Sequence, residues 1–278
     1  MQDPRSLTTY GKAVVMDART VVVDVADMLA RRVVTGEYAP TTLMPSVRQV
    51  AEEFEINRAT AQLVLGRLES QGFVDAKRAK GFVVRDVRVD GGMEVYCRLF
   101  QLSVTASPGI ASEMFEEMVE SQRQILADAF LAYTAMCDEG SLRQGDLHDD
   151  VDRLEALARA EEPDHVAILS LELALIRRIM GTTGQAFQRA TLNSIGATIL
   201  SVPEAVAAYF AVSPDLHVLM WRAMAAVWDS GSAPSDAQLA LFDDLLGLYH
   251  QRVLSKFDEI VLPAEQVDEE VAIDFATA

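Results

Sequence analysis

The chain has 278 residues, half of them hydrophobic, which is enough for two medium domains and too apolar for global disorder. Its net charge of −18 at pH 7 is unusual for a protein that binds phosphates. Residues 1–90 carry 13 Lys and Arg against 12 Asp and Glu, whereas residues 91–278 carry 11 against 30. Any contact with nucleic acid is therefore expected from the first segment alone.

The compartment is predicted from three features of the sequence. No apolar run reaches the roughly 18 residues that a membrane span needs, and the N-terminal residues lack the basic start and apolar stretch of a secretory signal. Cys97 and Cys137 show no metal-ligand spacing. These features predict a cytoplasmic protein with reduced thiols and no contact with a membrane.

Two helices are predicted at the start of the first segment. Apolar residues at spacings of three and four predict a helix over 19–35, which ends at Gly36. Ser46 is placed to cap the free amides of a second helix, and Gln49 completes a capping box with it.

A third helix follows after a two-residue turn, with Asn57 as its N-cap and an end near Ser70. One face of this helix is apolar and the other is polar, which is the arrangement of a helix that rests on a core and enters a DNA groove. A polar face that only contacts solvent would have the same pattern. The neighbouring helix and the predicted hairpin favour the interpretation that this face recognises DNA. The polar face consists of Arg58, Thr60, Gln62 and Arg67.

A β-hairpin is predicted directly after the third helix, from residues 73–76 and 82–85. Its tip carries Lys77, Arg78 and Lys80, followed by Gly81, which lets the chain turn. A basic tip in this place indicates phosphate contacts, which add affinity that depends on salt but not on sequence.

These elements resemble the winged helix-turn-helix domain of the GntR family of bacterial transcription regulators. The motif MPSVR stands where the family has LPSxR, and INRATAQLVLGRLESQGFV matches its recognition helix and the exit from it. The resemblance covers about 65 residues and implies that the domain binds double-stranded DNA. The residues predicted to contact DNA, from the resemblance, the polar face and the wing tip together, are Arg48, Asn57, Arg58, Thr60, Gln62, Arg67, Lys77, Arg78, Lys80 and Gly81.

The sequence departs from the family pattern at two positions. The usual Pro-Gly turn is Pro40-Thr41 here, and the arginine expected one turn into the recognition helix is Gln62. The second change removes a charge-assisted contact. We therefore expect the operator to differ from the half-site usual in the family.

The chain after Asp90-Gly91-Gly92 is predicted to be almost wholly helical, which makes the fold mainly α. Helices are predicted at roughly 112–137, 147–160, 163–181, 186–201, 204–210, 214–229 and 236–260. The expected organisation is a winged helix-turn-helix domain at 1–90 with an N-terminal extension over 1–17, a linker at 91–111, an α-helical bundle for effector binding and dimerisation at 112–262, and a disordered acidic tail at 263–278.

An all-helical domain that follows such a DNA-binding domain resembles the ligand-binding domain of the FadR subfamily. Many members hold a metal ion with an Asp and three His, and the aligned positions here are Glu172, Ile176, Trp221 and His250. Neither Ile176 nor Trp221 can ligate a metal, so we expect no bound metal and no other cofactor. The remaining histidines are expected to lie alone at or near the surface: His148, His165 and His217.

An apolar effector is favoured over a small carboxylate, which would lose its anchor without a metal. Residues 177–196 look more like FadR itself, which binds fatty acyl-CoA, than like the metal-binding members, so fatty acyl-CoA is one candidate effector. Met224 and neighbouring apolar residues could line a cavity, although a methionine-rich stripe equally fits ordinary core packing. The candidate effector-binding residues are Arg177, Met180, Asn193, Trp221, Arg222, Tyr249 and His250.

The function predicted from these features is regulation of transcription by a homodimer on a palindromic operator, with a small-molecule effector that modulates binding. Two alternatives remain open at this point: a helical domain that only dimerises, and a member that senses metal or carboxylate. An enzyme is not expected, because the sequence has no Gly-rich phosphate loop, nucleophile elbow or HExxH motif. The pyridoxal-phosphate domain of some GntR relatives would need a much longer chain.

Overall fold

The computed structural model describes residues 18–138, 147–230 and 234–262 and divides the chain into two compact units, with the boundary at Asp86 and Val87. The predicted N-terminal extension at 1–17 and the tail at 263–278 lie outside the described residues. The elements of the first unit are α1 (Ala18–Val34), α2 (Val47–Glu53), α3 (Arg58–Ser70), β1 (Val74–Lys77) and β2 (Gly81–Val84).

The first unit is a three-helix core with a β-hairpin. Helix α3 packs against α1 and α2 through its apolar face, and Leu29, Leu65 and Leu68 have no exposed surface. Strands β1 and β2 pair antiparallel with Val74 opposite Val84 and Lys77 opposite Gly81. The capping box predicted at Ser46 and Gln49 is present, so α2 begins where the sequence indicated.

Thr41 has a left-handed backbone conformation in the turn where the family usually has glycine. Its φ is 69°, and its N–H donates to the carbonyl of Val84 at 2.8 Å, which ties the turn to β2. A β-branched residue is strained in this conformation, because its side chain crowds the backbone. Threonine in place of the usual glycine at position 41 therefore lowers the stability of this turn through backbone strain.

Thr41→Gly is therefore expected to raise the free energy of unfolding of the first unit by about 0.5–1 kcal/mol. This value is the backbone strain that the variant relieves, reduced by the greater conformational entropy of glycine in the unfolded chain. Urea denaturation followed by far-UV circular dichroism measures it. Thr42→Gly is the matched control: Thr42 does not have a positive φ, and its hydroxyl donates to Ala39 O at 2.6 Å, so this variant should lose stability. Equal effects of the two variants would refute the assignment of strain.

The second unit is a helical bundle. Its helices are α4 (Val87–Asp90), α5 (Met93–Ala106), α6 (Pro108–Asp138), α7 (His148–Ala158), α8 (His165–Thr182), α9 (Ala186–Leu200), α10 (Pro203–Tyr209), α11 (Pro214–Ser230) and α12 (Asp236–Val261). The seven helices predicted from periodicity all occur, with ends that differ by a few residues. In the described residues no helix is long and apolar enough to cross a membrane.

The linker predicted at 91–111 is wrong, because most of this stretch is α5. Leu99, Phe100 and Leu102 of α5 are almost fully buried. Phe100 lies with its ring centroid 6.0 Å from that of Phe115 on α6, and Phe115 stacks on Phe257 of α12 at 4.1 Å. Helix α5 is thus part of the core of the second unit, and α6 begins at Pro108, four residues before the predicted start.

Candidate functional site

Helix α3 packs on the core through one face and exposes polar side chains on the opposite face. Ala61, Val64, Leu65 and Leu68 form its buried face. On the opposite side Arg58 and Gln62 are exposed, and Thr60 is half-buried. The prediction that this helix has one apolar and one polar face therefore agrees with the burial pattern.

Asn57 is used by the protein itself as the N-cap of α3. Its side-chain Oδ1 accepts a hydrogen bond from the backbone N–H of Thr60 at 2.8 Å. This bond satisfies one of the free amides of the first turn and fixes the start of the helix. The amide group of Asn57 is left with its N–H donors for any ligand.

The arginines of this region differ in how available they are. Arg58 is exposed and has no ion pair with any residue that the structure describes. Arg48 is also exposed, but its Nε lies 2.7 Å from Glu52 Oε1 one turn further along α2. Arg67 is half-buried, and its Nε is enclosed without a hydrogen-bond partner. Arg58 is thus the most available cation of the recognition helix, and Arg67 the least.

The hairpin carries its cations at an exposed tip. Lys77, Arg78 and Lys80 are all exposed, and Lys77 Nζ lies 3.3 Å from Asp75 Oδ2. Gly81 has a φ of 102°, which only glycine adopts easily, so the tight turn depends on it. A hydrogen bond from Ala76 N to Glu69 Oε1 at 3.1 Å joins the hairpin to the end of α3. The first unit thus has an exposed recognition helix and a basic wing that a phosphate backbone could contact.

The second unit contains a buried polar cluster that the sequence analysis missed. We call it the Glu172 cluster: Glu172, Tyr209, His217, Trp221 and Tyr249. His217 Nδ1 lies 3.0 Å from both carboxylate oxygens of Glu172, and Trp221 Nε1 donates to Oε1 at 3.0 Å. The hydroxyl of Tyr249 donates to the backbone carbonyl of Tyr209 at 2.9 Å, and His217 Nε2 lies 3.2 Å from the same oxygen.

The environment of His217 favours its charged form. Burial lowers the pKa of His217, but the carboxylate of Glu172 and the hydrogen bonds to Glu172 and Tyr209 outweigh it, and the pKa is raised. The protonated ring can donate through both nitrogens, one to the carboxylate and one to the carbonyl. The Glu172 cluster therefore contains a buried Glu–His pair whose members have hydrogen-bond partners.

His148 and His165, like His217, differ from the expectation of isolated rings. His148 Nε2 lies 2.6 Å from Asp229 Oδ2, and His165 stacks on Phe210 with ring centroids 4.1 Å apart. His250 is buried with its Nδ1 unpartnered, and burial lowers its pKa to about 4. Its ring is thus neutral at neutral pH.

The residues at the metal positions of the FadR subfamily do not fit a metal ion here. Ile176 has no ligating atom, and Trp221 uses its only polar atom to donate to Glu172. Glu172 also pairs with His217. Among the described residues no group of three or more His, Cys, Asp or Glu side chains could hold a metal ion.

An apolar pocket of about 440 Å³ lies between α6, α11 and α12. Among its lining residues are Phe130 on α6, Met224 and Trp228 on α11, and Phe242 on α12. Met224 was one of the residues expected to line a cavity. The seven candidate effector-binding residues are not among the lining residues.

The structure does not bring the seven effector candidates together. Met180, Trp221, Tyr249 and His250 are buried, and Trp221 and Tyr249 belong to the Glu172 cluster. Asn193 is exposed, Arg177 is half-buried, and Arg222 pairs with Asp152 and Glu155 at the surface. Their role in effector binding stays a prediction.

Comparison with protein families adds evidence for the first unit. Residues 22–84 match the family described as bacterial regulatory proteins, gntR family. The HTH-type transcriptional regulator Mce2R of Mycobacterium tuberculosis and an uncharacterised HTH-type transcriptional regulator of Mycobacterium bovis are each 33% identical to this chain over 81 residues. The aligned part covers 29% of this chain and 34% of each relative, so the chain matches about a third of their length. The names of these relatives describe a role that is not enzymatic.

A solved structure with a similar fold covers most of the chain. It comes from work reporting that Lar controls the expression of the Listeria monocytogenes agr system and mediates virulence. The match has a TM-score of 0.51 and covers 86% of this chain and 96% of that chain, at 12% identity. At this identity the likeness concerns the fold alone. The prediction of a mainly helical fold is confirmed: the chain has an N-terminal winged helix-turn-helix domain, which matches the gntR family over residues 22–84, followed by a helical region.

Proposed function

We propose that the protein is a transcription regulator that binds a palindromic operator as a homodimer and whose DNA binding is modulated by a small-molecule effector in the helical domain. The exposed polar face of α3 beside a basic wing is the observation that carries the proposal. The residues proposed to contact DNA are those named from the sequence, with Arg58, Gln62 and the wing cations foremost because they are exposed. An apolar effector is proposed, with fatty acyl-CoA as one candidate class.

A second copy is part of the proposal for an electrostatic reason. The first 90 residues have a net charge of only +1, and the acidic remainder repels phosphates. Two recognition helices about one helical turn of DNA apart double the base contacts and the phosphate contacts. Dimerisation is therefore the simplest way to reach specific affinity with this charge distribution.

Selection from a pool of randomised DNA duplexes tests the proposal. We expect a palindrome with half-sites about 10 base pairs apart to be enriched. Four cations per copy, Arg48, Lys77, Arg78 and Lys80, predict a slope of about −7 for the logarithm of the binding constant against the logarithm of the salt concentration.

Two results of this experiment would count against the proposal. One is a selected duplex that binds no better than a scrambled duplex of the same composition at the same salt concentration. The other is a pool from which no sequence is enriched. Either result would leave the polar face of α3 as an ordinary solvated surface.

A further inference from the structure

We propose that the pocket between α6, α11 and α12 binds an uncharged, apolar small molecule. The inference deepens the proposed function, because it gives the effector a place and a chemical class. It departs from the acyl-CoA candidate in that it excludes a charged head group from this pocket. Its test is carried out without DNA, so its failure would leave DNA recognition standing.

The size and lining of the pocket are those of a small-molecule site. A volume of about 440 Å³ falls within the range of roughly 300–1,000 Å³ usual for such sites, which are mostly apolar. Phe130 lies with its ring centroid 5.9 Å from that of Trp228 and 6.0 Å from that of Phe242. These three rings come from three helices, so the walls are held by packing between the helices.

Thr134, the indole N–H of Trp228 and the side-chain oxygen of Gln238, which are polar groups lining the pocket, already have partners. Thr134 Oγ1 donates to Phe130 O at 2.7 Å and accepts from Trp228 Nε1 at 2.9 Å. Gln238 Oε1 accepts from the backbone N–H of Ser235 at 2.9 Å as part of a capping box. A ligand with several polar groups would lose its bonds to water without replacing them, which disfavours it.

The pocket also lacks a positive charge that an anion could use. Its lining residues, all in the described part of the chain, include no Lys, Arg or His. The one charged lining residue is Asp243, whose Oδ1 lies 2.9 Å from Arg123 Nη1. Arg123 is in turn paired with Glu120. A carboxylate or phosphate would therefore meet one carboxylate and no uncompensated cation, and a cationic ligand would meet a carboxylate whose charge Arg123 already balances. Both observations favour an uncharged ligand.

Three leucines at the rim leave apolar surface for a ligand to cover. Leu131, Leu241 and Leu245 line the pocket and are 50%, 58% and 57% exposed. Apolar side chains clustered around a concavity mark a binding site more often than leucines scattered over a surface. A small molecule in the pocket would bury part of this surface, whereas a second copy would need on the order of 800 Å² of complementary surface on each partner.

Fluorescence titration of the full chain with 1-N-phenylnaphthylamine, an uncharged dye that brightens in apolar surroundings, tests the proposal. We expect saturable binding and displacement by 1-dodecanol. Dodecanoate at pH 8, which has the same chain length but a charged head, should compete at least 10-fold less well. Decanoyl-CoA and dodecanoyl-CoA serve as further anionic competitors and should behave like dodecanoate.

A matched pair of variants locates the site. Ala223 and Ala226 are both exposed on α11, and only Ala223 lines the pocket. Ala223→Phe fills the pocket from its wall and should weaken dye binding at least 10-fold, whereas Ala226→Phe should leave it unchanged. Circular dichroism establishes that both variants fold.

Each of four outcomes would overturn the inference. These are no saturable dye binding, equal weakening by the two variants, competition by dodecanoate as strong as that by dodecanol, and loss of self-association in Ala223→Phe with no dye binding to the wild type. The last outcome would identify the groove as a contact between copies of this chain. Light scattering on the same samples detects it.

Discussion

Arg58→Glu is expected to lower the affinity for the selected operator about 100-fold or more. An arginine that contacts a base edge or phosphate contributes roughly 1–3 kcal/mol, and reversal of its charge adds repulsion from the duplex. Arg58 is exposed at the start of α3 and forms no ion pair with a described residue, so the variant breaks no ion pair there. Fluorescence anisotropy with a labelled operator measures the change.

Arg31→Glu is the matched control for this prediction. It alters the net charge by the same amount in the same domain, but Arg31 lies in the last turn of α1 and outside the residues proposed to contact DNA. We expect its effect on operator affinity to be less than about 5-fold, as for a charge that acts only at a distance. Equal losses in the two variants would mean that overall charge, not the recognition helix, governs binding.

Glu172→Leu is expected to lower the free energy of unfolding of the helical domain by about 3–5 kcal/mol. The variant leaves the buried ring of His217 and the indole N–H of Trp221 without their shared partner. Both tryptophans of the chain, Trp221 and Trp228, lie in the helical domain, so their fluorescence follows its unfolding in urea. Glu172→Gln, which keeps the shape and one acceptor oxygen, should cost less.

A double variant separates the ion pair from simple packing. Glu172→Met combined with His217→Phe removes both charges, and it should recover part of the stability that Glu172→Leu loses. Because the pKa of His217 is raised, the contribution of the pair is fully present below about pH 6.5 and is lost as the pH rises through the folded-state pKa. A loss below about 1 kcal/mol for Glu172→Leu would show that the pair contributes little.

The winged helix-turn-helix domain could be predicted from sequence because its determinants are local. Ser46 with Gln49, and Asn57 with Thr60, are three residues apart, and these spacings fix where α2 and α3 begin. The apolar periodicity of the helical domain is local in the same sense, so its seven predicted helices occur. Contacts that act within one turn of chain leave their pattern in the sequence.

The Glu172 cluster could not be predicted because its members come from distant positions. Glu172 and His217 are 45 residues apart, and their contact depends on how α8, α10 and α11 pack. One local indication was available: His217 and Trp221 lie four residues apart on the same face of α11. A polar pair on the apolar face of a helix indicates a buried partner, and the sequence analysis did not use it.

Helix α5 and the apolar pocket were missed for different reasons. The residues of α5 are flanked by Gly92 and Ser107-Pro108, which are typical of a linker, and only the packing of Phe100 on Phe115 shows that the helix is part of the core. Met224 lines the pocket, and it is close in sequence to Trp221 and Arg222, which were predicted to bind the effector. Sequence patterns show which face of a helix is apolar, and they do not show where packing leaves a gap.

The capping role of Asn57 restricts how it can read a base at the proposed operator. Asparagine that is free on both sides pairs with adenine through one donor and one acceptor. Here one lone pair of Oδ1 already accepts from Thr60 N, so the N–H groups of Asn57 are its most available contacts for a base. In the major groove guanine N7 and O6, adenine N7 and thymine O4 accept such groups, whereas the amino group of cytosine does not. The hydrogen bond that fixes the start of the helix therefore favours, at this position, a base that presents an acceptor over cytosine, which presents only a donor.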